Sequence, residues 1–194
     1  LTKGHPNLYE YTCKSEWDSL FTDFEENKIT TIYNSNDFYK SITELTNYVR
    51  DGHLIVLRPQ LDSVPNLFPL WLKIINKKLY TDTDDFDIPV GSEIISIDGM
   101  NAMEIRDRLM KYAPSDGFNE TKKDRQIEME LGILHFYEFG AKPAYQVEYR
   151  TPSNELITNP IQSQNFESIG KRFTKRYSSL ARKTLSEKGP HLYF

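Results

Sequence analysis

Asp51-Gly52-His53 is the place in this sequence where residue types and spacing favour chemistry. Imidazole titrates near neutral pH, so His53 can take a proton from a nucleophile and later return it. Gly52 fits a left-handed turn closing a helical pattern, which would hold the ring on a fixed platform. The competing role is local, because a histidine just past a helix C-terminus interacts favourably with the helix dipole. Other clusters fail on spacing. The run Asp82-Thr83-Asp84-Asp85-Phe86-Asp87, with Glu93 at the twelfth position, counts like a calcium loop. Phe86 stands where a ligand belongs and Asp87 where the sharp turn demands glycine, so a solvated acidic loop is expected. His5, His135, His191 and Cys13 share no ligand-like spacing, so neither a metal site nor a cofactor is expected. No serine lies in a Gly-x-Ser-x-Gly elbow. Asn119-Glu120-Thr121 matches a glycosylation sequon.

The elements that must carry these residues can be read from periodicity. Trp17, Leu20, Phe21 and Phe24 fall on one face of a helix over 15–26, with Ser15 as its cap. The polar stretch 27–34 breaks that pattern. A second helix over 36–50 carries Phe38, Ile42, Leu45 and Val49, and Leu54-Ile55-Val56-Leu57 reads as a short strand ended by Pro59. From Pro65 the period becomes two. Leu70, Leu72 and Ile74 alternate with Trp71, Lys73 and Ile75, and Asn76-Lys77-Lys78 turns the chain into Leu79-Tyr80-Thr81. A strand over 92–97 lies between Gly91 and the Asp98-Gly99 turn. A helix near 102–112, a longer helix over 121–139, and strands at 145–149 and 156–161 follow. A last helix over 167–185 places Ile169, Phe173, Tyr177 and Leu180 on one face. Its basic residues Lys171, Arg172, Lys175, Arg176, Arg182 and Lys183 read as the solvated side, not a phosphate-binding stripe.

Composition narrows the class. With 38% hydrophobic and 27% charged residues in 194, the chain has the makings of a folded, soluble protein of one large or two small domains. A net charge of −4 argues against a nucleic-acid partner. No apolar run approaches the roughly 20 residues that span a bilayer. Cys13 is alone, which excludes an internal disulfide framework.

Two segments carry a family resemblance. Phe68-Pro69-Leu70-Trp71-Leu72-Lys73-Ile74, then Lys78-Leu79-Tyr80, then Ile88 through Gly99 and the following helix are similar to the PDZ-like domain of tail-specific serine peptidases. Val49-Arg50-Asp51-Gly52-His53 resembles the junction that ends the helical N-terminal region of tricorn-like members (peptidase family S41), and His5-Pro6-Asn7-Leu8-Tyr9 fits the same group. The resemblance implies an α+β fold in three parts: a helical subdomain over 1–58, a PDZ-like domain with a helical insertion over 59–165, and a linker helix over 166–194 leading to a crotonase-like catalytic core that this chain lacks. It implies that His53 is the general base for a serine supplied by that core, so the fragment alone is inactive. It also implies a peptide groove lined by Phe68, Leu70, Ile105 and Leu109, although Pro69 removes one N–H from the loop that would capture a terminal carboxylate. The expected partners are a peptide or protein substrate and the catalytic core, in a periplasmic or secreted setting. A non-enzymatic peptide-binding module, or a pseudopeptidase, is the alternative.

Overall fold

The computed structural model describes residues 4–176. The fold is α+β, with a six-stranded antiparallel sheet and helices gathered at one end of the chain and on the sheet. Helix α1 spans Lys14–Asp23, and Cys13 rather than Ser15 holds the N-cap position, without a side-chain cap bond. The helical path does not stop at the polar stretch. It continues through one π turn, Phe24–Lys28, and one tight 3-10 turn to Thr31. Helix α2, Ser35–Asn47, is capped by the Asn34 side chain, which accepts from the amides of Asn36 and Asp37. Its buried face is Tyr39, Thr43 and Leu45, while Phe38 is exposed, so the apolar stripe is rotated from the one expected.

The left-handed residue after α2 is Arg50, at φ 56°, and not Gly52. Gly52 serves a different need. Its amide donates to Asp116 Oδ1 at 2.8 Å, and a Cβ there would meet Lys122 Nζ at 2.9 Å and the Asp116 carboxylate at 3.0 Å. Residues 54–57 are extended but pair with no strand among the described residues. Ile55 and Leu57 face outward.

The sheet runs in the order β1 (Leu72–Ile75), β2 (Lys78–Thr81), β3 (Glu93–Ile97), β5 (Ala144–Arg150), β6 (Leu156–Gln162), with the short β4 (Met100–Asn101) pairing β3. Two tight turns set its register. Asn76 and Lys77, at φ 51° and 68°, join Ile75 to Lys78, and Asp98-Gly99, at φ 52° and 80°, joins Ile97 to Met100. Both central residues of each turn lie at positive φ, the twist that suits a two-residue hairpin. A shift in the β3–β5 register between Ile94 and Ser96 leaves Ile95 as an extra residue, which lets Ile94 and Ile97 both face the core.

Helices α3 (Ala102–Leu109) and α4 (Glu120–Phe139) cover the sheet and pack on each other. They are joined by a buried arginine. Arg106 is 1% exposed, and its guanidinium grips Asp124 with two bonds of 2.7 and 3.0 Å and Glu120 at 3.0 Å. Burial opposes that charge, but the surrounding carboxylates outweigh it and raise the pKa further. The main core runs through the sheet, α3, α4 and Tyr39. A second, smaller cluster joins Leu8, Trp17, Phe24, Leu45 and Val49. Trp17, Phe24, Leu45 and Val49 were all legible from helical spacing.

Residues 166–176 are helical and return to the start of the sheet. Phe173 packs on Trp71 with ring centroids 4.4 Å apart, and Arg172 donates to the Pro69 carbonyl at 2.9 Å. The same helix pairs with the acidic stretch: Arg172 reaches Asp85 at 3.3 Å and Arg176 reaches Asp82 at 3.4 Å. Neither the acidic loop nor these two arginines is therefore merely solvated. Tyr177, Leu180 and the rest of the expected helix lie outside the described residues.

Candidate functional site

Asp51 sits between two imidazoles. Its Oδ1 accepts the His53 amide at 2.7 Å, the local turn expected of an aspartate two residues before its donor. The same oxygen lies 3.4 Å from His53 Nδ1. Oδ2 receives His5 Nε2 at 3.0 Å, and His5 Nδ1 accepts the Asn7 amide at 3.3 Å. Because Nδ1 of His5 is an acceptor, its Nε2 carries the proton and donates to Asp51. The His53 amide and, after it, the His5 ring hold the Asp51 carboxyl below its ordinary pKa. With Nδ1 of His53 beside a carboxylate, Nε2 is the outward nitrogen, and the side chain is 93% exposed. Aspartate at i−2 is a sequence signal for this turn. Asp116, which pins Gly52, completes a group in which one ligand atom each from Asp51, His53 and Asp116 lies within 4.8 Å of the others. All three are near the surface and two already accept backbone amides, so the arrangement is that of a hydrogen-bonded turn.

The four residues expected to line a peptide groove lie elsewhere in energetic terms. Phe68, Leu70, Ile105 and Leu109 belong to the main core, each at 3% exposure or below. The cause is α4. Strand addition needs an edge strand with unpaired backbone groups. One of the two edge strands is β1, and α4 has taken the outward groups of its Ile74: the amide donates to Glu128 Oε1 at 2.6 Å, and the carbonyl accepts from Arg125 Nη2 at 2.6 Å. Arg125 and Glu128 stand one turn apart on α4 and pair at 2.7 Å. Ile127, Leu131 and Leu134 of the same helix fill the adjoining core. The loop 67–70 is covered as well. Leu67 exchanges both backbone bonds with Gln164, and a Cβ at Gly132 of α4 would lie 2.7 Å from the Phe68 carbonyl oxygen. The sequence showed α4 as a helix but carried no signal for where it docks.

No known protein family matches this sequence, and no curated protein matches it. Solved structures do. The chain resembles mature CPAF, a chlamydial serine protease, at 14% identity with a TM-score of 0.51 over 71% of this chain. The fold is one found in a serine protease. The complex of mature CPAF with lactacystin matches at 13% identity and a TM-score of 0.51, and a serine-to-alanine mutant of CPAF at 14% and 0.51. This chain spans about a quarter of the length of the structures it matches, 27% of mature CPAF. At such identity the likeness is one of architecture, and no residue role is carried across by it.

Proposed function

We propose that this chain is the substrate-recognition and gating region of a serine endopeptidase of the tail-specific, tricorn-like kind, acting on peptides or protein tails. In this reading residues 59–165 are a PDZ-like domain with a helical insertion, and 166–194 lead to a catalytic core that supplies the nucleophile. The protein works in a periplasmic or secreted setting. Among the described residues no helix is long and apolar enough to cross a membrane.

The observation that carries the proposal is the geometry of His53 in a fold shared with a protease. The ring is exposed, its Nδ1 faces Asp51, and its turn is anchored on Asp116. A base contributed to a composite site needs that combination of a fixed backbone and an open outward nitrogen. The non-enzymatic alternative, a module that binds peptides by strand addition, would have to use the β6 edge, since α4 takes the Ile74 groups of β1. The test is His53→Ala in the full-length protein with a peptide substrate. Turnover should be lost while substrate binding and thermal stability stay nearly unchanged, because base removal acts on the chemical step. Asp51→Asn should lower turnover by a smaller factor. Full activity in His53→Ala would place the base elsewhere and end this reading.

A further inference from the structure

A cavity of about 400 Å³ opens between α2, the extended segment 50–58 and the first turns of α4. Its volume lies within the range of small-molecule sites. Five cationic side chains line it, and two of them are neutralised: Arg58 by Glu130 at 2.7 Å and Lys111 by Glu138 at 2.9 Å. Arg50, Lys122 and Lys123 form no ion pair with any described residue. Lys123 Nζ donates to neutral oxygens, the Asn47 side chain and the Met110 carbonyl. The Arg50 guanidinium lies over the Phe118 ring at 4.1 Å, and its Nε is buried without a hydrogen-bond partner among the described residues. Asp51, the one carboxylate in the lining, is already engaged by His5 and the His53 amide. Burial, followed by the charge of Arg50, pushes Lys123 down to about 8, and Glu120 offsets this only in part.

Unpaired like charges beside one cavity, one with an orphaned donor, are costly in a free protein. An anion between them reverses the sign of that cost. The remaining wall is apolar, with Leu54, Val56 and Tyr112, and it adds the buried hydroxyls of Thr43 and Ser115, which have no partner among the described residues. A bare inorganic anion would leave the apolar wall unused.

We propose that this cavity binds the carboxylate of an apolar ligand, held between Lys123 and Arg50. Two sources share that chemistry, the free C-terminus of a peptide and a small free acid. The cavity reaches the Asp51-Gly52 turn, so its occupant lies beside His53. The inference concerns binding alone and does not depend on His53 being a base.

The test is calorimetric titration of the full chain with four probes: a hexapeptide ending in a free leucine carboxylate, the same peptide as its C-terminal amide, N-acetyl-leucine, and inorganic phosphate. The free-acid peptide should bind at least tenfold more tightly than the amide. Equal affinity for N-acetyl-leucine would also support the site and identify a small acid as its occupant. Lys123→Met and Arg50→Met should each weaken binding at least tenfold while keeping the melting temperature, since each removes an unpaired cation. Should either variant fold poorly, Lys123→Gln with the same titration replaces it. Equal binding of acid and amide, preference for phosphate over both carboxylates, or no binding of any probe would overturn the proposal.

Discussion

Gly132 faces the carbonyl oxygen of Phe68 so closely that a Cβ on it would lie 2.7 Å from that oxygen. A glycine in the middle of a helix normally costs about 1 kcal/mol relative to alanine. Here the missing side chain is what lets α4 lie against the loop. Gly132→Ala should therefore destabilise the protein by about 1–3 kcal/mol despite its better helix propensity, because a backbone oxygen cannot rotate out of the way. Urea unfolding of the variant measures this. A gain in stability would mean that α4 and the loop are not in contact in solution.

The Ile74 backbone is closed by two side chains instead of a neighbouring strand. Glu128→Ala leaves its buried amide without an acceptor, at a cost of about 1–3 kcal/mol. Hydrogen exchange should locate the effect. The Ile74 amide should exchange much faster in the variant than in the parent, while amides in β5, away from that edge, should change little. A uniform acceleration across the sheet would point to global loosening rather than an opened edge.

Arg106 holds α3 to α4 through Asp124 and Glu120 while almost wholly buried. Arg106→Ala should cost about 3–5 kcal/mol, since it strands the largely buried Asp124 carboxylate, whereas Glu120 is half exposed and keeps Lys77. Arg106→Lys should recover only part of that, because an ammonium cannot reproduce the two-pronged grip on Asp124. Thermal denaturation of both variants, ranked against the parent, decides the point.

His135 stands in a cage of rings, 5.4 Å from Phe68, 5.3 Å from Tyr145 and 4.7 Å from Phe139. Burial pushes its pKa down to about 4. The unfolded chain takes up this proton below about 6.5, the folded chain only near 4. Its contribution is therefore complete above about pH 6.5, declines as the pH falls toward 4, and changes no further below that. At most about 3 kcal/mol is at stake in that window. In His135→Phe the stability profile between pH 6.5 and 4 should flatten, and an unchanged slope would assign the loss to other groups.

Much of the sheet was legible because its signals are local. Period-two burial at Leu70, Leu72 and Ile74, and turn residues at Asn76-Lys77 and Asp98-Gly99, fix strands and register within a few residues of one another. What the sequence hid is what depends on distant partners. Nothing near Gly52 announces that Asp116 will occupy the space where a side chain would go. Nothing near Arg125 and Glu128 says that their charges will serve a strand some 50 residues earlier. The segment 54–57 has a strand's composition but finds no partner among the described residues, since propensity proposes a strand and pairing decides it. At the candidate site, the type and neighbours of His53 were what singled it out. The approach of the Asp51 carboxylate to its ring was not anticipated, although Asp51 lies only two residues away.

The bridge between Leu67 and Gln164 carries a consequence for how the chain is made. Together with Trp71 to Ile169 and Pro69 to Arg172, it ties segments about 100 residues apart. At a ribosomal rate of about 5–20 residues per second, some 5–20 seconds separate the emergence of one side from that of the other. Over that interval the apolar Leu67-Phe68-Pro69-Leu70 stretch waits without its final cover, a window in which a chaperone or a neighbouring nascent chain competes for it. High contact order of this kind also slows refolding from denaturant.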